Sequence, residues 1–280
     1  MTGTLTLVAS PIGNLGDATP RATETLARAA IVCCEDTRRT GRLLEHLGVP
    51  SATYLVVNDH TEHEAASKVV EALRRGDDVA LVTDAGTPGI SDPGARIVRA
   101  ALDAECTVTM TPGPNAAVMA LVLSGLDSSR FVFEGFLSRA GEDRDARIGE
   151  IARERRTCVL YESPHRLART LGDLLSACGS SRRIAVAREL TKMHEEVRRS
   201  TLAEAAERAR TVEPRGEYVL VIEGAPPPEP AGDDELRVAI ESLLAAGSTV
   251  RDAAADIAER FGVPRNRAYD LALAVATSIT

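Results

Sequence analysis

The chain has 280 residues, 44% of them hydrophobic and 26% charged, and a formal net charge of −8. This is the composition of a water-soluble globular protein of about two domains. No apolar run approaches the ~20 residues of a membrane span, and the negative balance argues against a surface that binds nucleic acid non-specifically throughout. The five cysteines are odd in number and contain no C-x-x-C pair, so buried reduced thiols are expected rather than a zinc site or disulfide frame. Residues 4–10 read as a first strand with no basic-then-apolar leader before it, so the expected location is cytoplasmic. A glycine-containing loop, SPIGNLGD at 10–17, follows it. Thr19 and Pro20 then cap a helix to about Ala29. The loop is neither G-x-G-x-x-G nor a P-loop, because the lysine is absent.

A short strand at 30–35 ends in Glu35 and Asp36, which either face a ligand or cap the helix that runs to about His46. A strand at 53–57 leads through the polar run 58–64 into a helix to Arg75. Its two histidines fit no H-E-x-x-H spacing, so no metal is expected. The run VALV at 79–82 reads as a buried strand. After it comes TDAGTPGISDPG at 83–94, a loop with three glycines and two prolines at a strand's carboxyl end, where open α/β sheets bind ligands. Asp92 and Pro93 read as the N-cap and first residue of the next helix. A strand at 107–109 and TPGP at 111–114 precede a helix that opens at Asn115 and Ala116 and ends near Gly125.

This alternation predicts a mostly parallel α/β domain over residues 1–125. A second α/β domain is expected over 126–224. It has strands at 131–136, 157–161, 183–187, 195–199 and 217–223, and helices at 145–156, 164–178 and 203–210. Residues 137–144 read as a flexible charged loop. A proline-rich linker at 225–232 leads to a helical module at 233–280. Its segment 253–272 looks like a helix-turn-helix with Gly262 at the turn. Arg265 and Arg267 at the start of the second helix suit phosphate contact.

With these loops in place, the order SPIGNLGD (10–17), EDTR (35–38), TDAGTP (83–88), TPGP (111–114), YES (161–163) and ARELTK (187–192) resembles the ribosomal RNA small subunit methyltransferase I family, a branch of the tetrapyrrole-methylase superfamily. The likeness spans almost the whole chain. The superfamily's first loop usually reads G-x-G-P-G; here it is ASPIG at 9–13, with Ile12 in the proline's place, which fits the rRNA branch. The resemblance implies two α/β domains with S-adenosylmethionine in the cleft between them, and a homodimer. It further implies 2′-O-methylation of a cytidine ribose in the decoding region of 16S rRNA in the small ribosomal subunit. The implied cofactor-facing positions are Ile12, Gly13, Asp84, Gly86, Thr87, Pro88, Ile90, Asn115, Ala116, Tyr161, Arg188, Glu189 and Leu190.

Methylating a ribose hydroxyl calls for alignment of oxygen and methyl carbon, and for help as the proton leaves. Candidate bases are Glu35, Asp36, His60 and Glu195. Lys192 is a candidate to stabilise the alkoxide, or to act as base if its pKa is depressed; it and Lys68 are the only lysines among 33 basic side chains. Arg38, Arg39, Arg139, Arg166 and the helical tail are the candidates for RNA phosphates. Asp84 is expected to shape its loop or touch the cofactor. Two other readings compete: a tetrapyrrole C-methyltransferase, and a nucleic-acid-binding regulator without enzyme activity.

Overall fold

The computed structural model describes residues 2–50, 52–58, 61–227 and 231–279. The chain forms two compact units, 1–225 and 226–280. The first unit contains two five-stranded sheets. In the first sheet the strands are β1 (Thr4–Val8), β2 (Ile31–Cys34), β3 (Thr53–Val56), β4 (Val79–Val82) and β5 (Thr107–Thr111). Their order is β3-β2-β4-β1-β5 and every pairing is parallel. A parallel sheet is covered on both faces, which is why β4 is a run of four buried apolar residues.

The helices α1 (Pro20–Arg28) and α2 (Thr37–His46) cover one face of this sheet, with Leu26 and Leu44 against Val8, Val32 and Val82. The helices α3 (Glu62–Arg75) and α4 (Ala95–Asp103) cover the other, with Val69, Leu73 and Ile97 against Leu5 and Leu81. The chain therefore leaves β1 for one face and β4, its neighbour, for the opposite face. A crevice opens where their loops diverge, as open α/β sheets provide.

Thr19 caps α1 through Ala22 N–H, and Pro20 starts the helix. The start of α4 differs from the sequence expectation. Gly94, not Asp92, is its N-cap. Buried Glu62, at the head of α3, accepts the N–H groups of Gly94 and Arg96, both at 2.9 Å. A carboxylate at a helix N-terminus satisfies orphan donors and complements the dipole. Because Glu62 supplies that cap from another helix, Asp92 is left free of the role. A Cβ at Gly94, whose φ is 135°, would sit 2.8 Å from Leu81 Cδ2, so only glycine fits between this loop and β4.

The helix α5 (Ala116–Ser124), capped by Asn115 through Val118 N–H, joins the two halves of the first unit. Its Ala117, Ala120 and Leu121 pack on Val159, Ala185, Ala187, Val219 and Val221 of the second sheet. That sheet contains β6 (Phe131–Phe136), β7 (Thr157–Glu162), β8 (Arg183–Arg188), β9 (Glu196–Thr201) and β10 (Tyr218–Ile222), in the order β6-β7-β10-β8-β9. Only β6 and β7 are parallel; the other pairs are antiparallel. Its far face carries α6 (Glu142–Arg153), α7 (Pro164–Cys178) and α8 (Leu202–Thr211).

The helix α6 begins three residues earlier than its pattern implies, at Glu142. The expected loop end, Arg144, lies on its first turn and is 1% exposed. Its guanidinium bonds the Ser138 carbonyl, Thr170 Oγ1 and Asp173, the last at 2.8 Å. Among the described residues the second unit has three helices, α9 (Asp233–Ala245), α10 (Val250–Phe261) and α11 (Arg265–Ile279). They close on Leu236, Ile240, Ile257, Ala268 and Leu271, with Gly262 in the left-handed region ending α10. No described helix is long and apolar enough to cross a membrane. Cys33, Cys34, Cys106 and Cys158 are buried free thiols. Burial pushes Cys33 and Cys158 up to about 12, so neither is a nucleophile near neutral pH.

Candidate active site

The loops after β1 and β4 are tied together. Ser10 N–H donates to the Gly86 carbonyl at 2.9 Å and Gly86 N–H donates back at 3.1 Å. Ser10 Oγ adds a bond to the Thr83 carbonyl at 3.0 Å. Gly86 takes φ 80°, and a Cβ there would touch Ile12 at 3.4 Å. Asn115 Nδ2 reaches Thr87 Oγ1 at 3.3 Å, linking the β5 loop to the same cluster. Three loops at the carboxyl ends of adjacent strands thus form one wall. The other wall comes from the second sheet.

Between them lies a cleft of about 380 Å³. Ile12, Gly86, Thr87, Ile90, Asn115 and Ala116 line it from the first half. Tyr161, Leu190 and Val219 line it from the second, with Phe136 at its edge. The chain has only four Phe, four Tyr and no Trp, yet three of these rings meet here. Tyr161 stands 5.0 Å from Phe133, edge-on, and 5.5 Å from Phe136. The cleft is chiefly apolar, and Asp92, Glu162 and Glu217 are the acidic residues on its lining. Such a site suits a ligand with a flat heterocycle and a positive centre.

The remaining positions from the sequence reading sit elsewhere. Gly13 packs against the Lys192 side chain, where a Cβ would come within 2.4 Å of its Cγ. Asp84 pairs with Arg39 through Oδ2 at 3.2 Å, keeps Oδ1 buried without a hydrogen bond among the described residues, and donates its N–H to Glu35. Pro88 is buried in its loop. Arg188 donates to the Arg215 carbonyl at 2.7 Å and borders a separate cavity beyond β8 and β9. Glu189 points to Lys192, because glycine at 216 leaves room for its side chain. These side chains serve the walls rather than the cleft surface.

The candidate bases sort in the same way. Lys192 Nζ is held between Glu189 at 2.8 Å and Glu217 at 2.6 Å. Burial works against its charge, but the two carboxylates outweigh it and keep the ammonium above its usual range. Lys192 is therefore a clamped cation, not a base with a depressed pKa. Asp36 caps α2 and is held down at about 2, first by its hydrogen bond with the Arg38 side chain. Glu195 accepts Thr191 N–H at 2.6 Å, closing a turn. Glu35 accepts Asp84 N–H at 3.3 Å. His60 lies outside the described residues. The sequence reading assigned Asp92 to a helix start; the fold instead sets it in the cleft wall. Its carboxyl is pushed up to about 7, first by burial and then by Glu35 and Asp84.

Of the arginines, Arg38 is bound by Asp36 and Arg39 by Asp84, both largely exposed. Arg139 and Arg265 are exposed. Arg166 departs from the expectation of a phosphate contact. It bonds Glu162 and the Leu137 carbonyl, so it braces the cleft wall. Arg267 is likewise engaged, with Asp233 at 2.6 Å and the Ala231 carbonyl.

The sequence and fold match known proteins. Residues 4–206 fit the family described as Tetrapyrrole (Corrin/Porphyrin) Methylases, and 230–276 fit the RsmI C-terminal HTH domain. A ribosomal RNA small subunit methyltransferase I from Synechocystis sp. is 46% identical over 97% of this chain and 98% of its own length. The chain belongs to that family. Another relative of that name, from Haemophilus influenzae, is 41% identical over 98% of each chain. Membership makes the chain a methyltransferase with S-adenosylmethionine as cofactor. A solved structure of uroporphyrin-III C-methyltransferase from Thermus thermophilus, complexed with S-adenosyl homocysteine, shares the fold. Its TM-score is 0.56 at 20% identity, over 79% of this chain and 97% of that one.

Proposed function

We propose that this chain transfers a methyl group from S-adenosylmethionine to the ribose 2′-oxygen of a cytidine in the decoding region of 16S rRNA. The observation that carries the reading is the cleft built from loops of both sheets, in a chain matched end to end by rRNA methyltransferases. When bound, the cofactor supplies an electrophilic methyl on a sulfonium, whose leaving group is a neutral thioether. Ile12, Ala116, Leu190 and Val219 exclude water from it. Asn115 and Thr87, hydrogen-bonded to each other, orient its polar end. The clamped Lys192 borders a second, smaller cleft of about 310 Å³ that also holds Asp84, Arg39 and Arg42. That cleft shares Ile12, Ala85 and Glu217 with the first. An RNA strand laid there would meet the α2 arginines at its phosphates, with its ribose next to the wall of Ile12 and Ala85 that the two clefts share.

The test is transfer of labelled methyl to small subunits from cells lacking the modification, followed by digestion to nucleosides. Label in 2′-O-methylcytidine supports the reading. Label in a base, or none in rRNA with cofactor binding intact, contradicts it.

A homodimer belongs to the same reading. The helix α5 is apolar on every side, and a helix of that kind is normally covered all round. Here Val118 and Val122, one turn apart, are 50% and 67% exposed. Val122→Asp is expected to weaken self-association by at least ~10-fold, since it sets a charge in an apolar contact. Sedimentation velocity reads the change; an unshifted dimer would place the contact elsewhere.

A further inference from the structure

We propose that Asp92 is the catalytic base of this site, the group that takes the proton from the ribose 2′-hydroxyl as the oxygen is methylated. The inference rests on the functional reading above and adds a residue to it. Three observations carry it. Asp92 lies in the wall of the cofactor cleft. Its helix-capping role is already filled by Glu62. And the residue before it, Ser91, adopts φ 60°, a left-handed conformation that a non-glycine residue rarely takes and that collects at functional sites. That turn brings Ser91 and Asp92 together to the cleft surface.

Three other charged groups near the cleft are paired. Lys192 is a clamped cation, Asp36 is a cap paired with Arg38, and Asp84 is paired with Arg39. Asp92 faces Glu35 and Asp84 from the β2 and β4 loops. Tyr161, Glu162 and Glu217 line the opposite wall, with Glu217 neutralised by Lys192. The surrounding carboxylates and the burial raise its proton affinity towards neutral, where a general base works best. In the step, the ribose oxygen forms the O–CH₃ bond and its proton passes to an Asp92 oxygen. The C–S bond breaks and its electron pair stays on sulfur.

The test is Asp92→Asn, which keeps size and one acceptor. Single-turnover transfer to small subunits at saturating cofactor should rise tenfold per pH unit in the wild type up to about 7 and then level. The variant should be at least ~100-fold slower and lack that limb. S-adenosylhomocysteine affinity, by calorimetry, should stay within about threefold, because a base does not carry ground-state binding. A second readout needs no cofactor. A carboxyl whose folded pKa is raised stabilises the fold below its unfolded value, and that stability is lost as pH rises through the folded value. D92N should therefore raise Tm relative to wild type most at pH 8, less at pH 5, and not at all below the unfolded value of about 3.8. A variant as active as wild type with the same pH limb overturns the proposal. So does a tenfold loss of S-adenosylhomocysteine affinity, which makes Asp92 a cofactor ligand instead. A wild type that methylates no rRNA refutes the functional reading itself, a result distinct from an active wild type beside an equally active variant.

Discussion

A Thr87→Trp variant is expected to bind S-adenosylhomocysteine at least ~100-fold more weakly, a loss of about 2.7 kcal/mol, while remaining folded. Thr87 lies on the β4 loop, lines the cleft and is only partly buried. Its one side-chain bond is the 3.3 Å contact from Asn115. An indole at this position projects into a space of about 380 Å³ and takes the volume a ligand needs. The fold has little to lose, because the β4 loop is fixed by other bonds: the Ser10–Gly86 pair and the Glu62 cap. Calorimetric titration with S-adenosylhomocysteine and a thermal melt separate the two effects. Unchanged affinity would show that the cofactor sits elsewhere. A collapsed melt would show that the loop is structural in a way its contacts do not indicate.

The second large effect concerns stability. Arg144→Ala is expected to cost about 2–4 kcal/mol: Asp173 is 38% exposed and regains water, but the Ser138 carbonyl and the buried Thr170 hydroxyl each lose a hydrogen-bond partner. The guanidinium joins α6 to α7 through Asp173 and Thr170, and fixes the loop before α6 through the Ser138 carbonyl. Thr170 Oγ1 accepts from Arg144 and donates to Glu162 at 2.6 Å. Glu162 in turn accepts Ser163 N–H at 2.8 Å and meets Arg166 at 3.3 Å. The network runs from a buried helix start to a residue on the cleft border. Urea unfolding followed by circular dichroism gives the number. A change below about 1 kcal/mol, the scale of an exposed pair, would mean that the network carries little of the fold.

Arg144 also marks where sequence reasoning stopped. A run of charges between a strand and a helix reads as solvated loop, since arginine is seldom buried unless paired. Its side-chain partners lie 26 and 29 positions away, outside any local window. The same holds for the α4 cap: Glu62 is 32 residues from Gly94. The local signal at Asp92 and Pro93 imitated a cap that a distant carboxylate had already supplied. Lys192 stood out as one of two lysines, but its clamp joins residues 189, 192 and 217. That closure depends on glycine at 216, where a Cβ would meet Glu189 at 2.5 Å.

What was legible was local. The cap at Thr19 follows from a side chain that bonds the N–H three residues on. The buried strands follow from short apolar runs between turn residues, and the ligand loops from glycine and proline at their carboxyl ends. Ile12, Gly86, Thr87, Ile90, Asn115, Ala116, Tyr161 and Leu190 all line one cleft. Asp92 lines it as well. A carboxylate in a glycine loop, read there as a helix cap, was the only sequence signal for it.

The most direct measurement is a crystal structure of the full chain soaked with S-adenosylhomocysteine. The account predicts density in the cleft between Thr87 and Asn115 on one side and Leu190 and Val219 on the other. Density instead in the arginine-bordered cavity beyond β8 and β9, lined by Arg188, Arg198 and Arg208, would contradict it.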